Sequence, residues 1–165
     1  MAAGGAHRWS VHHVDECLAS GMLIHERGRS RFRHELARLA IEDAIPPGRR
    51  VALHRAALRA LRASPGRHTD PAGLAHHAEQ ADDREAVLAF APAAGDQAAA
   101  LGAHREAAAQ YGRALRFADS LPLEYRASLL GRRSYECYLS DQPEQAIQAR
   151  RQALAAYRTL GDQRG

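Results

Sequence analysis

Leu74-Ala75-His76-His77-Ala78-Glu79-Gln80-Ala81-Asp82-Asp83-Arg84-Glu85-Ala86-Val87, continued by Glu106-Ala107-Ala108-Ala109-Gln110-Tyr111-Gly112-Arg113-Ala114-Leu115, decides the reading of this 165-residue chain. Small alanines alternate with larger side chains at helical spacing, and only polar, cap-like joints interrupt them. Ala86, Phe90 and Ala93 form one pattern, a small residue, a ring four later and a small residue seven later. Ala107, Tyr111 and Ala114 repeat it, and Ala146 and Ala153 echo it. Stacked helical hairpins are written this way, because alanine favours helix and lets neighbouring helices approach closely. The step from Ala107 to Ala146 is 39 residues, a few more than the roughly 34 of a tetratricopeptide repeat, and the excess fits the loop around Leu121-Pro122-Leu123. In the second unit Arg150 stands where a ring is expected.

Outward from that stretch, Asp70-Pro71 and Asp141-Gln142-Pro143-Glu144 read as helix starts, an oxygen acceptor followed by a proline that needs no helical hydrogen bond. Asp82 with Glu85 predicts a capping box. Pro92 predicts a kink or break near Phe90 to Pro92. Further helices are predicted over 106–120, 124–139 and from 143 to Leu160-Gly161.

The first third reads differently. Val14 to Ala19 predicts a short helix stopped at Ser20-Gly21. Met22 to Glu26 and Arg31 to His34 read as two strands around the polar turn Arg27-Gly28-Arg29-Ser30, with Arg29, Arg31 and Arg33 on one face and Phe32 on the other. Glu35 to Ile45 returns to helical spacing, Pro46-Pro47-Gly48 ends it, and another helix runs from about Arg49 to Ala63 before Ser64-Pro65-Gly66. The expected architecture is mainly α: a winged-helix-like unit with one β-hairpin over residues 1–64, then an α-helical tetratricopeptide-like repeat array over 65–165.

Composition narrows the function. The net charge is +4, and all 23 basic residues are arginine, for the chain contains no lysine. A phosphate-binding loop of the Walker type, a protein kinase and a Schiff-base enzyme each need a lysine, so this chain by itself supplies none of them. His34-Glu35 starts a zinc-protease H-E-x-x-H motif, but Arg38 occupies the place of the second histidine. Ser30 lies between Gly28 and Phe32, an incomplete nucleophile elbow. The doublets His12-His13 and His76-His77 place adjacent rings about 100° apart on a helix, so neither chelates a metal without ligands from elsewhere. Cys17 and Cys137 are read as two reduced thiols. No apolar run approaches the roughly 20 residues of a membrane span, and Met1 to Gly5 lacks the features of a secretory signal, so a cytoplasmic protein without a membrane partner is expected. The expectation is a non-enzymatic binding or regulatory module with no metal and no catalytic residue. Its ligand or partner face is the concave side of the repeats, lined by His77, His104, Tyr111, Tyr135 and Tyr138. A second expectation is nucleic-acid binding through phosphate contacts from Arg27, Arg29, Arg31 and Arg33 of the wing, against pairing of those arginines with Glu26 or Glu35.

The runs Asp15 to Leu23, Arg31 to Arg38 with its Phe32-Arg33-His34-Glu35-Leu36 core, and Ile45 to Arg50 resemble a known arrangement, as do Leu74 to Ala78 and Ala107 to Leu115. From about Val14 to Asp162 the chain resembles the region that follows the nucleotide-binding domain in large LuxR-family transcriptional regulators of the STAND ATPase class. The resemblance implies a winged-helix end of the ATPase followed by a tetratricopeptide-like sensor array. It implies partners on either side, a nucleotide-binding domain before this region and a DNA-binding helix-turn-helix after it, so the chain is expected to be a piece of a longer regulator. It also implies a nucleotide-sensing role for His34, and ATP or ADP as a cofactor only where a separate nucleotide-binding domain is present.

Overall fold

The computed structural model describes residues 11–26, 29–63 and 70–161. Among them are eight α-helices and one two-stranded antiparallel sheet, and the chain divides into two compact units, 1–49 and 50–165. The sequence boundary expected at 64/65 lies outside the described residues.

In the first unit α1 (Val11–Ala19) ends at Gly21, whose φ of +72° is the left-handed turn that stops the helix. The hairpin follows, β1 (Leu23–Glu26) and β2 (Arg29–Phe32), in the register Leu23 with Phe32, Ile24 with Arg31 and Glu26 with Arg29. The second strand thus starts two residues earlier than the polar composition predicts. Glu26 and Arg29 pair directly, so the connection shrinks to Arg27-Gly28, which lies outside the described residues. Helix α2 (Glu35–Ala44) then closes at Ile45, whose extended backbone begins the approach to Pro47. Pro47 does more than end α2. It is the first residue of α3 (Pro47–Arg62), where its missing N–H costs nothing.

The second unit holds most of α3, then α4 (Pro71–Gln80), α5 (Arg84–Ala100), α6 (His104–Leu115), α7 (Leu123–Leu139) and α8 (Pro143–Thr159). From α4 to α8 each helix packs chiefly on its neighbours in sequence. Asp70 caps α4 by accepting from the Ala72 N–H, as the Asp70-Pro71 start predicts. At the next joint the capping residue is Asp83, one position later than the predicted Asp82: Asp83 Oδ1 accepts from the Ala86 N–H at 3.0 Å. Asp82 itself turns the chain, with φ of +53°. Gly102, Asp141 and Gly161 occupy the same left-handed place after α5, α7 and α8. At three of these joints the next N–H reaches back to close the helix, Asp83 to Ala78, Ala103 to Ala98 and Gln142 to Cys137, each at 2.9 Å.

Of the kink or break expected near Pro92 the break is corrected, and so is the end of the helix expected over 106–120. Helix α5 runs unbroken through Pro92. Pro92 takes the helical donor from the Leu88 carbonyl, but the residues around it are small and buried (Ala91, Ala94, Gly95), and tight packing holds the turn. The helix expected over 106–120 stops at Leu115, and a 3-10 turn at Ala118–Ser120 follows. There Phe117 and Leu121 turn inward against the core, so burial wins over helical propensity.

The core of the second unit joins Leu58 of α3 with Leu74, Ala75 and Ala78 of α4, Val87 and Ala91 of α5, Ala107, Tyr111 and Ala114 of α6, and Leu129 of α7. Tyr111 is its large member. A Cβ placed on Gly95 would stand 2.6 Å from Tyr111 Cε1, so the ring lies on bare α5 backbone. Cys17 and Cys137 are both free thiols, and burial holds the Cys137 thiol above its ordinary value. No described helix is long and apolar enough to cross a membrane.

Because the Tyr111 ring cannot retreat through a close-packed core, Gly95→Ala is expected to lower stability by about 1–3 kcal/mol despite alanine's better helix propensity. Urea unfolding checks this, and an unchanged or raised midpoint refutes it.

Candidate functional site

Helix α7 buries Ala127, Leu129, Leu130, Ser134 and Cys137, and exposes the opposite side. On that side stand Tyr125 (40% exposed), Tyr135 (61%), Tyr138 (74%) and Leu139 (40%). Solvated aromatic side chains at this density are unusual in a chain with only nine aromatics in total, counting Phe, Trp and Tyr. Arg132 lies on the same stripe as Tyr135 and Leu139, three and seven residues on. Its guanidinium donates to Asp96 Oδ1 of α5 at 2.8 Å. That ion pair ties the exposed side of α7 to the exposed side of α5, which presents the small residues Ala89, Ala93 and Ala100 around Asp96. The Tyr111 hydroxyl donates to the same Asp96 oxygen at 2.6 Å. One carboxylate therefore fastens α5, α6 and α7 beneath a surface of tyrosines. Burial, and then the hydrogen bond to Asp96, push the Tyr111 phenol well above the ordinary tyrosine value.

The residues expected to line one face are thus divided. Tyr135 and Tyr138 are on this surface, whereas Tyr111 is 2% exposed and serves as its support. His104, at the start of α6, has Nδ1 2.7 Å from Glu136 Oε2 of α7, beside an open depression lined by Gly102, Ala103, Arg105, Glu106, Leu139 and Ser140. His77 belongs to another cluster: its Nδ1 is 2.9 Å from Nδ1 of His54, and the His76 ring lies 5.5 Å from both. Among the described residues no set of three His, Cys, Asp or Glu side chains is arranged to hold a metal ion. The His12 and His13 side chains lie outside the described residues.

A second polar network braces α4 against α6. Glu79 accepts from Arg113 Nε at 2.9 Å and from Arg116, and Arg113 also donates to Gln110 at 2.6 Å. Burial opposes the Glu79 charge, but the hydrogen bonds from Arg116 and Arg113 outweigh it and hold the carboxyl below the usual range.

In the first unit the arginine wing is partly neutralised. Arg31 Nη2 donates to Glu26 Oε2 at 3.1 Å across the hairpin. The Arg33 side chain lies over Gly21 instead of alongside Arg31. Arg27 and the Arg29 side chain are outside the described residues. His34 is exposed and precedes α2 as its capping residue without a side-chain cap bond, while its carbonyl accepts from the Ala37 and Arg38 N–H groups. Arg38, which displaces the second histidine of the protease motif, pairs with Glu35 and Glu42.

Sequence reasoning missed Tyr125, Arg132 and Asp96 as neighbours of the tyrosine surface, and His54 as the partner of His77. Spacing along α7 groups Tyr125, Arg132, Tyr135 and Leu139. The pairs Asp96 with Arg132 and His54 with His77, 36 and 23 residues apart, carry no local signal. Compared with models of protein families, with curated proteins and with solved structures, the chain matches none.

Two measurements follow from this geometry. The Tyr111 phenol is harder to ionise folded than unfolded, so the stability it confers is complete below the ordinary value near 10 and is lost as pH rises above it. Wild type is expected to lose stability between about pH 10 and 11, and Tyr111→Phe to flatten that loss while costing about 1 kcal/mol at neutral pH; equal alkaline slopes refute it. For the wing, Arg31→Ala with Arg33→Ala is expected to leave duplex affinity within about twofold, because Arg31 is already paired with Glu26 and Arg33 lies against Gly21. A salt-dependent DNA titration in which the double variant loses binding refutes that expectation.

Proposed function

We propose that this chain is the sensor and relay part of a larger regulator, a non-catalytic module resembling the central region of LuxR-type STAND regulators, which binds a protein or inducer on the α5–α7 face. The observation that carries the reading is the exposed set Tyr125, Tyr135 and Tyr138 on a helix whose other side is core. Tyrosine supplies large contact area with few rotatable bonds, and it is enriched where proteins bind partners.

Several features support a tetratricopeptide-like organisation of the second unit. The left-handed joint at Gly102 recurs at Asp141, the closing bond from Ala103 to Ala98 recurs from Gln142 to Cys137, and buried Ala107 and Ala114 recur as buried Ala146 and Ala153, all at a 39-residue step. Stacked repeats of this kind create extended concave binding surfaces, and the exposed tyrosines of α7 beside the small residues of α5 support a binding face there. The departure is at Arg150, which replaces the ring of Tyr111, and at Ser134, which replaces Gly95. With no ring to receive, the second hairpin needs no glycine, and Ser134 Oγ donates instead to the Ala146 carbonyl at 2.9 Å. A hairpin between α1 and α2 supports a winged-helix-like first unit, and the Arg31–Glu26 pair favours a structural wing over a phosphate-binding one.

The reading is tested by sequencing the DNA on both sides of the coding frame. A lysine-bearing phosphate loop upstream and a helix-turn-helix downstream are expected, and unrelated genes on both sides overturn the proposal. In the complete regulator, Tyr135→Ala with Tyr138→Ala is expected to abolish the inducer response while changing stability by less than about 1 kcal/mol. A full response from that variant removes the α7 face from consideration.

A further inference from the structure

The hold of α3 on the second unit rests on few side chains. Leu58 is the one buried residue described in this 16-residue helix. Around it Arg55 donates to the Ala81 carbonyl at 3.0 Å, Arg62 lies 5.8 Å from the centre of the Phe90 ring, and His54 meets His77 of α4. The last contact differs from the others because it depends on a proton. Two Nδ1 atoms 2.9 Å apart form a hydrogen bond only when one carries hydrogen and the other does not.

We propose that the His54–His77 pair, with His76 beside it, is a proton-released latch that fastens α3 to α4. With one ring neutral the two nitrogens share a hydrogen. With both rings protonated, two N–H groups and two positive charges face each other, the bond is lost, and α3 loosens from the core. The His76 ring stands 5.5 Å from both His54 and His77, completes a triangle of imidazoles, and adds repulsion in the same direction.

Among the described residues, the neighbouring charges that bear on His77 are those of His54 and His76, and both oppose its protonation. On α4, Glu79 is engaged by Arg113 and Arg116 of α6. On α3, Arg55 is turned to the Ala81 carbonyl. On α5, Arg84 is turned to the Phe117 carbonyl, Asp96 is held by Tyr111 and Arg132, and Glu85 is exposed. Burial first, then the two neighbouring imidazoles, hold the His77 ring below its ordinary value. The sign follows: unfolded or released His77 binds a proton more readily than docked His77, so the latch is closed above the ordinary value near 6.5 and is lost as pH falls below it. This window lies above the ordinary carboxylate range, which separates the latch from general acid unfolding.

Amide hydrogen exchange on the full chain tests the proposal, compared at about pH 7.5 and 5.5 after correction for the intrinsic rate, with ring NMR shifts reporting protonation of His77. Protection over residues 51–62 is expected to fall about tenfold or more at the lower pH while α7 and α8 keep theirs. His77→Gln, which retains a hydrogen-bonding side chain without a titrating one, is expected to make α3 protection independent of pH over this range. His54→Gln serves the same purpose should the first variant fold poorly. The proposal is overturned if wild-type α3 protection does not change, or if it falls equally in both variants. Addition of EDTA is expected to change nothing; a latch that opens with EDTA at pH 7.5 assigns the histidines to a metal ion and also overturns it.

Discussion

A tyrosine ring lying on glycine backbone is the contact on which the second unit depends. Tyr111 fills the space between α5 and α6 only because Gly95 has no side chain, and its hydroxyl then emerges beside Asp96. The apolar ring stabilises the core by burial while the hydroxyl, which could not be left unsatisfied there, meets an acceptor that also holds Arg132 of α7. Packing and polar satisfaction therefore coincide in one residue. The alanines around it do the complementary work of bringing helix axes close, and they make up most of the buried side chains among the described residues. A core built this way has little slack, which explains why Pro92 sits inside a continuous helix instead of breaking it.

The helical class, the approximate helix limits and the hairpin were legible in the sequence because each has a local cause: apolar spacing, an aspartate or glycine at a joint, a proline at a start. Tyr111 was visible as a member of a repeated pattern, although its contact with Gly95 was not. The errors share a physical origin. Asp82 and Asp83 are chemically equivalent as caps, and only the backbone turn decides which one bends and which one accepts. The break after Leu115 follows from Phe117 and Leu121 seeking the core, a tertiary effect. Of the candidate face, Tyr135 and Tyr138 were recognisable as outward residues of α7, while the placement of Tyr111 as a support depended on Asp96, fifteen positions earlier on another helix.

The surface so formed has a plain chemical character. Tyrosines stand on α7, small residues on α5, and between them the Asp96–Arg132 ion pair joins the two helices. Such a surface offers contact area and hydrogen-bonding edges. The first unit, whose described residues include none that is fully buried, is a different kind of object: its α2 exposes Leu36 and Leu39.

The neighbour-on-neighbour order from α4 to α8 has a mechanical consequence. Helices that touch chiefly the ones before and after them are connected in series, so their small compliances add along the chain as those of springs joined end to end. A load at α8 must pass through α7, α6 and α5 in turn to reach α4, and stiffness is concentrated where a bond skips a member of the series. Asp96 to Arg132 and Glu79 to Arg113 are such skips, from α5 to α7 and from α4 to α6. They act as struts across the coil, so that the run from α4 to α7 is braced crosswise as well as joined in series.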